Sequence, residues 1–189
     1  MLVELENFKV GQAGRESVLR QVDVFEDSTR EVLNSLRAVL YELRGEVGVE
    51  DTLVMSLGTL ITRFQEKTRI AANLIVLPGW PAMLKSSAAL NVYRIVEEAL
   101  TNVRLHSGAG AVRVELGVHS ATELAVVVTD NGRGVDTHHS RPLGLGMVGM
   151  RERALILGGQ VLFESNNGDG TTVRATFPRV GVTAEELTA

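Results

Sequence analysis

The sequence contains no cysteine, which excludes disulfide frameworks and thiolate metal sites. It also lacks any run near the roughly 20 apolar residues that span a bilayer. Residues 1–10 carry two glutamates where a signal peptide would have a hydrophobic stretch, so this segment is expected to make no membrane contact. A cytoplasmic location is expected, and a membrane-bound parent protein remains compatible with that. A basic patch is missing too. Nineteen Lys and Arg are scattered among 23 Asp and Glu, and the net charge of -4 gives no general attraction to nucleic acid or anionic lipid. What the chain does have is apolar content: 44% of 189 residues, enough for one packed domain and a smaller appendage.

Two patterns of periodicity divide the chain. Val18, Val22, Phe25, Thr29, Val32, Leu36, Val39 and Leu43 alternate spacings of four and three, which predicts a long helix packing against other helices. Leu33 and Leu40 widen that seam, as suits a bundle, and Gly11 to Gly14 reads as a turn after a shorter helix over 2–10. An ordinary amphipathic helix covering one core has the same period. Beyond Gly45 a helix is predicted over 52–67, then a short apolar stretch over 73–77 ending at Pro78-Gly79-Trp80-Pro81, where the prolines mark a loop. Ser86 or Ser87 can cap the next helix, which runs to about His106 and buries Ala89, Val92, Val96, Ala99, Leu100 and Val103. Strands are predicted over 112–118 and 124–129, a helix near 145–157, and strands over 161–165 and 172–177. The expected fold class is α+β: a mixed, mainly antiparallel sheet with helices on one face, preceded by a helical segment.

Several residue groups carry chemistry. Glu98 and Asn102, four apart on one helix, project from the same face beside the apolar stripe. An amide carbonyl and a carboxylate so placed can hold a hydrated magnesium ion, although the same pair is also a common solvated helix face. Asp130-Asn131-Gly132-Arg133-Gly134 follows an apolar strand directly. The Asp can accept from an exocyclic amine and the glycines admit a planar ring, yet Asp-Asn-Gly is also an ordinary turn. Gly144-Leu145-Gly146-Met147 opens a helix whose free N–H groups attract phosphate. Gly168-Asp169-Gly170-Thr171-Thr172 turns into the last strand with a hydroxyl in reach of an adenine or a bridging water.

Taken in order, Arg94-Ile95-Val96-Glu97-Glu98-Ala99-Leu100-Thr101-Asn102, the Asp130–Gly134 run, Gly144-Leu145-Gly146-Met147-Val148-Gly149-Met150-Arg151-Glu152-Arg153-Ala154 and Gly170-Thr171 resemble the ATPase domain of sensor histidine kinases. These belong to the GHKL superfamily, with gyrase and MutL. The Gly-Met-Arg-Glu-Arg-Ala run is similar to the nitrate-sensor and lipid-thermosensor subgroup, and the resemblance covers about residues 84–178. It implies ATP and Mg2+ as cofactors, Asn102 as magnesium ligand, and Glu98 as its partner through water and candidate base. It makes Asp130 the adenine anchor, with Gly132 and Gly134 shaping the pocket and Thr171 supporting the adenine side. Gly144, Leu145 and Gly146 fall where a lid over 135–143 turns into its helix and meets the phosphates. His106 matches a position that usually faces them, though a histidine at a helix end also suits the helix dipole. The implied domains are a remnant of a dimerising helical hairpin at 1–45, a connecting helix and first strand at 46–80, the ATP-binding core at 81–180, and a tail at 181–189. The implied partners are ATP, a response regulator and a second copy joined through the hairpin in the intact protein, with no nucleic acid.

Two positions depart from the family pattern. A Lys or Arg usually stands three residues after the magnesium Asn, where this chain has Leu105. At 100° per residue Leu105 is expected to face the same side as Glu98 and Asn102, with Arg104 pointing away. The family's Arg-x-x-His-Asp/Glu acceptor box is also absent, and His106, His119, His138 and His139 all lie in or after the ATPase region. The resemblance therefore implies transfer of the ATP γ-phosphoryl to a histidine outside this segment, expected upstream of Met1, for relay to a response regulator. The alternatives are a nucleotide-binding regulatory module without turnover, an anti-sigma-type protein serine kinase, and a structural interaction domain. The heptad helix argues against the second and the ordered motifs against the third.

Overall fold

A computed structural model describes residues 53–134, 145–165 and 168–183, all within the compact unit Glu50–Ala189. The heptad helix over 18–43, the turn at Gly11 to Gly14, the lid over 135–143 with His138, His139 and Arg141, and Gly144 lie outside the described residues.

The first described element, α1 (Leu53–Thr68), buries Leu57 and Ile61 at helical spacing on the face turned to the sheet and the next helix. It ends at Arg69, whose φ of 61° gives the left-handed turn that starts β1 (Ala71–Val76). The proline-bounded loop that follows is pinned by Trp80, packed edge-on against Phe177 at 6.4 Å between ring centroids. The second helix, α2 (Ser86–Asn102), has Lys85 at its N-cap with no side-chain cap bond. Neither Ser86 nor Ser87 caps it: Ser86 is already its first residue, one position too late for its hydroxyl to meet the free N–H groups. Its buried stripe is Ala88, Val92, Ile95, Val96, Ala99 and Leu100, while Ala89 sits at the margin.

The α-helix does not run on to His106. At Asn102 it gives way to a π-helical turn, Val103–Ser107, closed by Gly108 with φ of 64°. Such a turn rotates each residue less than 100°, so the phase expected for Leu105 is lost; its side chain is 54% exposed. After the turn come β2 (Ala111–Val118), β3 (Glu123–Asp130), α3 (Leu145–Ile156), β4 (Gln160–Ser165) and β5 (Thr171–Pro178).

The five strands form one sheet in the order β1-β2-β3-β5-β4. Only the β1–β2 pairing is parallel; the others are antiparallel. Alternate residues of the central strands, Val114, Leu116, Val126, Val128, Ala175 and Phe177, face the helices and make the core. The opposite face carries Arg113, Glu115, Thr129 and Thr172, with the two threonine hydroxyls 3.3 Å apart. Pairing places Val112, Asp130, Thr171 and Ser165 side by side in one row on the helix face. That row turns polar beyond Val112, next to an apolar row of Val114, Val128, Val173 and Phe163. The sheet's hydrophobic face therefore ends at Asp130.

Candidate functional site

Asp130 closes β3 and is 6% exposed, the single ionisable side chain in the buried class among the described residues. Burial pushes its carboxyl above the ordinary value of 3.8, while N–H groups of Gly132 and Thr171 pull it back down by stabilising the anion. The Gly132 bond is direct, 2.8 Å from N to Oδ1. A buried carboxylate held by backbone donors keeps oxygen lone pairs for a further donor. Such perturbed acids concentrate at functional sites.

The loop after Asp130 is fastened on three sides. Asn131 Oδ1 accepts from the N–H groups of Gly110 (3.0 Å) and Ala111 (2.8 Å), anchoring the loop to the entry of β2. Arg133 donates its backbone N–H to Ser107 O at 2.9 Å and its Nε–H to His106 O at 3.0 Å. Its own carbonyl accepts from Gly168 N at 2.8 Å. Between these ties Gly132 lies so close to the π-helical turn that a Cβ there would stand 2.5 Å from Ser107 O and 2.7 Å from Asp130 Oδ1. Gly134 has φ of 67°, a backbone conformation that a side chain would strain. Gly170 does both: its φ is 80°, and an added Cβ would sit 2.0 Å from Asp130 O.

The second group lies along α2. Glu98 and Asn102 are both half-buried, one turn apart, beside the stripe formed by Ala99 and Leu100. Gly146 of α3 approaches Glu98 so closely that a Cβ would fall 2.0 Å from its Oε1. The first turn of α3 thus meets the carboxylate directly. Because the π-helical turn continues from Asn102 and contacts Gly132, the two groups are parts of one region: Glu98 and Asn102 on α2, Gly146 on α3, Asp130 to Gly134 after β3, and Thr171 at the start of β5. His106 lies on the turn with an exposed side chain, while its carbonyl holds Arg133.

Four residues shape this region that the motifs do not single out: Ser107, Asn131, Arg133 and Ser165. Ser107 is buried, with its hydroxyl donating to Val103 O at 2.8 Å and accepting from Ala109 N at 3.0 Å. Ser165 Oγ lies 3.0 Å from both Gly170 O and Thr171 Oγ1. Asn131 was available from its place in the Asp-Asn-Gly run. The partners of the other three depend on the π-helical turn and on strand register.

Comparison with known proteins bears on the fold that carries this region. Residues 88–181 match the family described as histidine kinase-, DNA gyrase B-, and HSP90-like ATPase. The chain is similar to the signal transduction histidine-protein kinase/phosphatase DegS of Brevibacillus brevis, 29% identical over 92% of this chain and 44% of that protein. It is 33% identical to the sensor histidine kinase LnrJ of Bacillus subtilis, over 82% of this chain and 37% of that one. The chain thus spans less than half the length of these relatives. In fold it resembles the histidine kinase domain of the Erythrobacter litoralis blue-light activated kinase, with a TM-score of 0.59 at 23% identity over 72% of this chain and 67% of that one. It also resembles the Acinetobacter baumannii histidine kinase AdeS, with a TM-score of 0.59 at 13% identity over 95% and 92%. Among the described residues no helix is long and apolar enough to cross a membrane. The core that carries Glu98, Asn102, Asp130 and Thr171 therefore belongs to the histidine kinase-, DNA gyrase B-, and HSP90-like ATPase family, and the chain is a homologue of the sensor histidine kinases.

Proposed function

We propose that this segment binds Mg-ATP and, within a longer kinase, transfers the γ-phosphoryl group to a histidine for relay to a response regulator. The observation that carries this reading is Asp130: a buried carboxylate at the end of a strand, held by two backbone N–H groups and walled by glycines that a side chain would displace. It suits an exocyclic amine, with Thr171 beside it in the same row and Gly132 and Gly134 leaving room for the ring.

The donor set on α2 fits magnesium, since an amide carbonyl from Asn102 and a carboxylate from Glu98 are both oxygen ligands and the ion keeps several waters. When bound, the ion would neutralise charge on the phosphates. Asn102 would hold it directly and Glu98 through water, while N–H groups opening α3 at Gly146, together with Gly144 and Leu145, would meet phosphate oxygens. In the proposed transfer a neutral imidazole nitrogen attacks the γ-phosphorus in line, the bond from that phosphorus to the bridging oxygen breaks, and ADP departs. Glu98 is the candidate base for the proton that the phosphorylated ring releases. Most of the rate would come from positioning and charge neutralisation.

Leu105, exposed on the π-helical turn where a cation is usual, favours a second reading in which nucleotide is held without turnover. Incubating the chain with labelled Mg-ATP and a separate acceptor-helix fragment distinguishes the two. Label on the fragment supports the kinase; saturable binding by calorimetry with no label transferred supports the regulatory module. A chain that binds neither ATP nor ADP would sink both.

A further inference from the structure

The cross-strand row at the end of the sheet fixes more than the place of Asp130. Ser165 stands opposite Thr171, which stands opposite Asp130. The Ser165 hydroxyl lies 3.0 Å from Gly170 O and 3.0 Å from Thr171 Oγ1. A carbonyl oxygen can only accept, and a serine hydroxyl has one proton to give. When both bonds form, Ser165 donates to Gly170 O, and the proton between the two hydroxyls must come from Thr171. Thr171 Oγ1 is then left with lone pairs alone for any other neighbour. Gly170 cannot easily move to relax this arrangement, because it is pressed against the backbone of Asp130 with φ of 80°.

We propose that Ser165 is a specificity-determining residue acting through Thr171: by taking the Thr171 proton it makes Thr171 an obligate acceptor beside the Asp130 carboxylate. The row then offers two acceptors and no donor to the edge of a bound base. A purine with an amino group at position 6 satisfies that row, directly or through one water. A purine with a carbonyl there leaves acceptor facing acceptor, which costs the desolvation of groups that stay unpaired. Without Ser165 the Thr171 hydroxyl is free to rotate and donate, and part of the discrimination goes.

This inference rests on the nucleotide-binding reading above, so its test must separate the two. The full chain and its variants are titrated by calorimetry with Mg-ATP and with Mg-ITP, which differ in the amino or carbonyl group at position 6 and the accompanying ring proton. The parent is expected to prefer ATP. Ser165→Ala should lower the ATP/ITP preference by about threefold to tenfold, largely through tighter ITP binding, the size expected for one hydrogen bond gained or lost. Ser165→Thr, which keeps a hydroxyl, should restore the parental ratio. Thr171→Val removes the acceptor without changing shape much and should lower the ratio through weaker ATP binding, which provides an independent readout if Ser165→Ala folds poorly. A general loss of structure would weaken both nucleotides alike and leave the ratio where it was. A parent that binds both nucleotides, with a ratio that neither Ser165→Ala nor Thr171→Val moves, overturns the role of Ser165 and leaves the nucleotide site standing. A parent that binds neither overturns the nucleotide reading itself, and this inference with it.

Discussion

Asp130 poses a conflict between stability and function that can be measured. Its burial raises the carboxyl pKa above 3.8, so the folded state holds the proton more readily than the unfolded chain. A group with a raised folded pKa favours the fold below its unfolded pKa and loses that contribution as pH rises through the folded value. At neutral pH the buried anion is therefore a net cost. We expect Asp130→Asn, whose amide oxygen can still accept from Gly132, to raise the melting temperature at pH 7.5. The gain should shrink as pH falls towards 4, as differential scanning calorimetry at the two pH values would record. The same substitution should weaken Mg-ATP binding by about tenfold to a hundredfold, the cost of one unmet polar contact at about 1–3 kcal/mol. A variant that lost stability and kept its affinity would contradict both halves of the argument. Asn102→Ala, on the face beside the stripe rather than in it, should leave melting nearly unchanged and abolish the magnesium dependence of nucleotide affinity. If titrations with and without the ion showed the same dependence as the parent, the metal role would be wrong. Asp130 and Asn102 could be proposed from the sequence because the chemistry of a nucleotide site calls for those residue types in that order. Ser107, Arg133 and Ser165 were not, since serine and arginine occur everywhere and their role here comes only from contacts that the fold creates.

The elements show a parallel division. Periods of 3.6 and 2 located the described helices and strands to within one or two residues, apart from the C-terminal end of α2, which stops at Asn102 and not near His106, because burial of an apolar face is what those periods record. The π-helical turn at Val103–Ser107 escaped, since a one-residue slip in backbone hydrogen bonding leaves the hydrophobic pattern nearly intact; it is this slip that turns His106 O and Ser107 O towards Arg133. The glycines also separate by mechanism once neighbours are known. Gly132 meets backbone oxygen of the turn, which has nowhere to go, so Gly132→Ala should destabilise the fold by about 1–3 kcal/mol, as overpacking does. Gly146 instead meets the end of the Glu98 side chain, which can swing aside. Gly146→Ala should therefore cost little in urea melts, yet displace the carboxylate from the start of α3 and weaken magnesium-dependent nucleotide binding. Equal losses of stability in the two variants would show that Glu98 is held more rigidly than its flexible side chain implies.

At the scale of the whole molecule, the sheet separates the candidate site from the one described histidine that does not border it. Asp130 pairs with Val112 at one end of the β2–β3 ladder, and Val118 pairs with Leu124 at the other, with His119 just beyond. Six residues of strand at about 3.3 Å each put roughly 20 Å between the two ends. In-line transfer needs the acceptor nitrogen within about 3–3.5 Å of the phosphorus, so His119 is out of reach in its own chain. His106 borders the site on a turn tied to Arg133 through the carbonyls of His106 and Ser107, so its backbone is fixed beside the site and its ring is not delivered from outside along the breaking bond. His138 and His139 fall in the stretch over 135–143 between the two glycine motifs, and neither belongs to an Arg-x-x-His-Asp/Glu box. We therefore expect this chain, incubated alone with γ-labelled Mg-ATP, to bind nucleotide without accumulating acid-labile, base-stable phosphohistidine. Adding an acceptor helix should transfer label to the helix and not to the chain. Phosphohistidine mapped by mass spectrometry to His106, His119, His138 or His139 of the isolated chain would show that the acceptor lies within this segment, and would require the site and its substrate to be assigned afresh.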